Sequence, residues 1–168
     1  SDVCSSDLGY EVFSHFLGAT GKPFISQVSP AFYFEAKVEL TDVSGTDQFH
    51  MGFRRAELCR PDFEDYTDAA SLGLTASDAN VNIMTILNNA ATTETDTGSD
   101  MVDATAMTLK VLVSAAGVVT YEIDGATPST VATFTFDAGD PLIPFVRVVN
   151  DTGTAGACII HKWDAGYQ

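Results

Sequence analysis

FYFEAKVEL, residues Phe32 to Leu40, alternates apolar and polar side chains without a break. Phe32, Phe34, Ala36, Val38 and Leu40 fall on one side of an extended chain, and Tyr33, Glu35, Lys37 and Glu39 on the other. That is the pattern of a strand with one buried and one wet face. After a turn cluster at Asp42 to Asp47, FHMGFRR repeats it, with Phe49, Met51 and Phe53 opposed by His50, Gly52 and Arg54. The two stretches read as a hairpin.

The same period continues along the chain. Tyr10 and Val12 suggest an opening strand, with Phe16 and a turn region from Gly18 to Pro23 behind it. AASLGL resumes at Ala69, and VNIMTIL at Val81 reads as a strand because of its β-branched residues and asparagines, although Ser77 offers a helix cap. MTLKVLV at Met107, VVTYEI at Val118, VATFTF at Val131, LIPFVRVV at Leu142 and ACIIHKW ending at Trp163 complete the series. The stretches Cys59 to Asp68 and Thr92 to Asp100 read as long surface loops, the first acidic and broken by Pro61. About nine or ten short strands with no convincing helix predict an all-β, two-sheet antiparallel sandwich.

The chain has 168 residues, 23 of them acidic and 8 basic, for a net charge of −15. Such a surface repels phosphates, which argues against nucleic acid and anionic lipid as partners. No hydrophobic run reaches membrane-spanning length. Residues 1–8, SDVCSSDL, are what the codons TCA GAC GTG TGC TCT TCC GAT CTN encode, the end of a common sequencing-library adapter. They are expected to be adapter read-through at the edge of a metagenomic contig, leaving residues 9–168 as a single domain. With Cys4 set aside, Cys59 and Cys158 are expected as two buried free thiols in preference to a pair.

The stretch from Met107 to Ala126, followed by ATFTFD, resembles concanavalin A-like (laminin G-like) jelly-roll domains. FYFEAKVEL, MGF at Met51 and SLGL at Ser71 fall in the order such domains show. The resemblance implies a sandwich whose long strands line one concave sheet. It also implies a choice of roles, among them glycan-binding lectins, glucanases and phage virion domains, between which a fold does not choose.

The residues themselves are sparing with chemistry. Glu35 and Glu39 are four apart with Lys37 between them, which suits cross-strand pairing on a wet face and not a glucanase carboxylate pair. Asp62, Glu64, Asp65 and Asp68 supply hard oxygen ligands of the kind calcium takes, without EF-hand spacing, and a solvated loop is the preferred reading. Tyr66, Trp163 and Tyr167 are the candidates for stacking on a sugar ring, with packing preferred for Trp163. His15, His50 and His161 have no catalytic partner at recognisable spacing and are expected on strand faces or the surface. Ser71 is not in a nucleophile elbow. No catalytic residue and no cofactor is expected.

The leading expectation is a non-enzymatic virion structural protein, a phage capsid decoration or fibre domain. Its partners would be capsid proteins and copies of itself. The alternative is an extracellular carbohydrate-binding module or lectin, whose partner would be a glycan.

Overall fold

The computed structural model describes residues 23–75, 78–150 and 156–168, together with the backbone of residues 3–6 and 9–13. Among these the chain forms thirteen strands in two antiparallel sheets, with a single short 3-10 turn at Phe63–Asp65. The strands are β1 (Val3–Ser6), β2 (Gly9–Phe13), β3 (Phe24–Ile25), β4 (Phe32–Leu40), β5 (Thr46–Arg55), β6 (Ala69–Thr75) and β7 (Asn80–Ile86). They continue with β8 (Thr93–Asp100), β9 (Met107–Val113), β10 (Val118–Ile123), β11 (Phe134–Thr135), β12 (Pro141–Asn150) and β13 (Cys158–Tyr167). The first sheet has eight strands in the order β1-β2-β12-β5-β6-β7-β8, with β3 also on β12; the second has five, β11-β10-β9-β4-β13.

The alternating faces close on one another. Phe32, Phe34, Val38 and Leu40 of β4 meet Phe49, Met51 and Phe53 of β5 across the sandwich, all in one core with Leu72, Leu74, Ile83, Val111 and Val146. Phe24 stacks on Phe32 at 4.4 Å, and Phe53 meets Phe32 edge-on at 5.0 Å. Each fully buried side chain of this size contributes roughly 1.5–3 kcal/mol.

Four expectations are corrected. The strands β4 and β5 do not form a hairpin: both edges of β4 are taken by β9 and β13, and both edges of β5 by β12 and β6. The link between them crosses from one sheet to the other through a turn in which the Asp42 carboxylate accepts the Gly45 N–H at 2.8 Å. Residues 93–100, read as a loop, form strand β8 on β7. As an edge strand it has few apolar positions to bury, so TETDTGSD carries no hydrophobic period. The stretch VATFTF keeps strand pairing only at Phe134 and Thr135. The strand count exceeds nine or ten because β8, the two-residue strand β3 and β1, which lies in the stretch set aside as adapter read-through, add to the strands read from the sequence. The β4 and β7 readings agree with the structure, as do turns at Gly117 and at Asp124 and Gly125, all at positive φ. His15 and Phe16 lie outside the described residues.

Candidate functional site

On β5 the residues facing away from the core are His50, Gly52 and Arg54. Ser71 and Gly73 share that face on β6, Met84 and Ile86 on β7, and Phe145 and Arg147 on β12. Simple alternation would leave this face wet. Instead His50, Arg54, Ser71 and Arg147 are all buried. The cover is a strap, residues 56–67, which leaves the end of β5 and returns at the start of β6.

The strap closes at its neck, where the Arg55 N–H donates to the Asp68 carbonyl at 2.8 Å and the Arg55 guanidinium pairs with the Asp68 carboxylate at 3.4 Å. Inside it, the Glu57 carboxylate accepts the Thr67 N–H at 2.7 Å and hydroxyl at 3.0 Å, and pairs with Arg60 at 3.2 Å. Ends held together and filling by its own side chains mark an Ω-loop. Its aromatic residues, Phe63 and Tyr66, pack on Ala69, Met84, Ile86 and Phe145 as a second, smaller apolar cluster.

Polar groups lie beside that cluster. The Phe63 ring stacks on the His50 imidazole, with centroids 3.9 Å apart and planes within 5°. Burial, and then the charge of Arg147 directly opposite on β12, lower the His50 pKa to about 3. The Arg54 guanidinium lies 4.5 Å over the Tyr66 ring and donates to the carbonyls of Arg55 at 2.8 Å and Glu57 at 3.2 Å. Arg147 donates to two successive strap carbonyls, from Nη1 to Arg60 at 3.0 Å and from Nη2 to Pro61. Three buried groups on this face find no hydrogen-bond partner among the described residues: both ring nitrogens of His50, Ser71 Oγ and Arg147 Nε. Such orphaned groups cost about 1–3 kcal/mol each, and they cluster where a ligand or water completes a structure.

The residues singled out in the sequence fall elsewhere. Asp62, Glu64 and Asp65 are exposed or capping positions of the strap's short turn, and Asp68 is buried at its neck in the Arg55 pair. Among the described residues, no group of three or more His, Cys, Asp or Glu could hold a metal. Asp62, Glu64 and Asp65 are solvated as expected, but the loop is not solvated throughout: Phe63 and Tyr66 are buried in the strap and Asp68 at its neck. Tyr66 has no exposed face to offer a sugar. Trp163 and Tyr167 lie on β13, the outer strand of the other sheet, 39% and 57% exposed, with Tyr167 edge-on to Phe24 at 5.2 Å. Glu35 pairs with Lys110 and Glu39 with His161, the cross-strand pairing expected of that face. His50 lies on a strand face of β5, one of the two placements expected, and is buried there. Cys59 is disulfide-bonded and Cys158 is free, so the two do not join each other and only one of the expected thiols exists.

Sequence reasoning passed over His50, Arg54, Ser71 and Arg147 because each occupies the nominally wet phase of a strand. The available signal was Phe63 and Tyr66, two aromatic residues within an otherwise acidic loop, which need a surface to cover.

No protein-family model matches the sequence, and no curated protein matches it. Solved structures do resemble the fold. The carbohydrate binding module CBM66 from Bacillus subtilis matches with a TM-score of 0.57 at 14% identity, over 96% of this chain and 83% of the other. The Emp46p carbohydrate recognition domain matches at 0.65 and 12%, over 95% and 77%. An alginate lyase from Corynebacterium sp. matches at 0.64 and 12%, over 94% and 67%. The virion reading gains no support from these likenesses. At such identities they establish the fold alone, and that fold is the concanavalin A-like jelly-roll sandwich.

Proposed function

We propose that this chain is a carbohydrate-binding domain, and that its ligand face is the outer face of the eight-stranded sheet beneath the strap. The observation that carries the reading is the set of orphaned, buried polar groups on adjacent strands, Arg147 Nε, the His50 ring nitrogens and Ser71 Oγ. Donors and acceptors held rigidly on strands, next to aromatic and apolar side chains, are what a saccharide's hydroxyls and C–H faces require. Gly52 and Gly73 lie between them and leave the sheet bare of side chains there. The likeness to a carbohydrate binding module and a carbohydrate recognition domain supports a saccharide over other small polar ligands.

Binding requires the strap to lift. Burial of Phe63 alone opposes this by roughly 1.5–3 kcal/mol, a cost that lowers apparent affinity by the fraction of time the strap is open. The proposed role is binding without cleavage. Glu35 and Glu122 pair with Lys110, and Glu39 meets the His161 ring at 2.8 Å, all on the other sheet and away from this face.

A glycan array carrying neutral and acidic glycans tests the reading, with retention of at least one saccharide class expected. Retention of none contradicts it. Appearance of an unsaturated or shortened product from a retained glycan would contradict binding without cleavage.

A further inference from the structure

Accepting the strap-covered face as the ligand site, we infer that its ligand is an acidic saccharide, and that the strap carbonyls of Arg60 and Pro61 stand in for the ligand's anionic group on Arg147. Arg147 is 5% exposed, and its guanidinium meets neutral oxygens: Nη1 the Arg60 carbonyl at 3.0 Å and Nη2 the Pro61 carbonyl. Two oxygens, one on each terminal nitrogen, is how a carboxylate or sulfate engages a guanidinium. The strap reproduces the geometry of an anion without its charge.

Competition between strap and ligand decides the ligand's chemistry. A neutral sugar would replace two peptide oxygens by two hydroxyl oxygens, an exchange with no gain at Arg147 to offset the lost burial of Phe63 and Tyr66. A carboxylate or sulfate brings charge-assisted hydrogen bonds, about twice as strong as neutral ones. It also brings a full charge to a guanidinium that, among the described residues, meets only the neutral carbonyls of the strap. The unspent Nε donor of Arg147 and the hydroxyl of Ser71 remain to fix neighbouring oxygens of the same sugar. The net charge of −15 slows approach of an anion, but at about 0.15 M salt charges beyond about 8 Å are largely screened, and the guanidinium acts at contact.

The test is titration calorimetry at that ionic strength, with a reductant present so that the Cys59 disulfide does not hold the strap. Three probes are used: a hexuronic acid tetramer, the same tetramer with its carboxyls reduced to hydroxymethyl groups, and a sulfated neutral tetramer. At least one acidic probe is expected to bind ten-fold or more tighter than the reduced tetramer, and whichever binds identifies the anion as carboxylate or sulfate. Binding of both acidic probes no tighter than the reduced tetramer would overturn the inference while leaving carbohydrate binding intact. Binding of none would overturn both. Arg147→Gln is expected to erase the preference for the acidic probe. Phe63→Ala, which weakens the strap without touching Arg147, is expected to tighten the acidic probe several-fold. Unchanged affinity in Phe63→Ala would overturn the strap's role as a stand-in, and that variant decides the point even if Arg147→Gln does not fold.

Discussion

The ring of Phe63 lies flat on the imidazole of His50, 3.9 Å away, and this contact joins the strap to the sheet at a residue that must stay uncharged. Folded His50 binds a proton only near pH 3, because burial and then Arg147 oppose the charge, whereas the unfolded chain binds it near 6.5. Between those values the unfolded state holds more protons, so stability falls as pH drops through the window, by up to about 1.4 kcal/mol per pH unit. Denaturant titrations between about pH 6.5 and 5 should show a shallower fall in His50→Leu than in the wild type. Equal slopes would mean that His50 is not held neutral.

Gly73 faces the strand that carries His50. A Cβ there would sit 1.7 Å from the Phe49 carbonyl oxygen and 2.7 Å from its carbon. Backbone cannot yield as a flexible side chain can, so Gly73→Ala should cost about 1–3 kcal/mol or more, measured by thermal or denaturant unfolding. A variant as stable as the wild type would show that β5 and β6 are further apart than described.

Tyr121 packs in the core of the second sheet, with its hydroxyl buried and without a partner among the described residues. Burial raises its pKa. Deleting an unsatisfied hydroxyl removes a desolvation penalty, so Tyr121→Phe should stabilise the fold by about 1 kcal/mol. Destabilisation would indicate a bound water or other partner at that oxygen.

Cys158, the free thiol at the start of β13, has its pKa pushed up to about 12 by burial. Since the thiolate is the reactive form, alkylation by iodoacetamide near neutral pH should be slow in the folded protein and should rise to the rate of an ordinary cysteine in denaturant. Rapid labelling of the native protein would contradict the desolvation of that thiol.

Much of the fold was legible because its strands bury one face: Phe32 to Leu40 and Met107 to Val113 announce themselves by period alone. Which strands pair was not legible, since β4 and β5 satisfy the same hydrophobic rule whether side by side or face to face. The edge strand β8 was invisible because an edge with little to bury needs no apolar residues. The site was hidden for a different reason. His50, Arg54 and Arg147 sit at polar phase, where solvent is the default neighbour, and only the strap's return onto the sheet buries them. The acidic residues Asp62, Glu64 and Asp65 drew attention as ligands, while Phe63 among them held the structural meaning of the loop.

The central claim is that a saccharide takes the place of the strap. Amide hydrogen exchange, with and without a saturating saccharide retained on the glycan array, tests it most directly. The account predicts faster exchange in residues 57–67 and slower exchange in β5, β6 and β12 around His50, Ser71 and Arg147. Unchanged exchange in the strap, with new protection confined to β13 around Trp163 and Tyr167, would place the ligand on the other sheet and contradict the account.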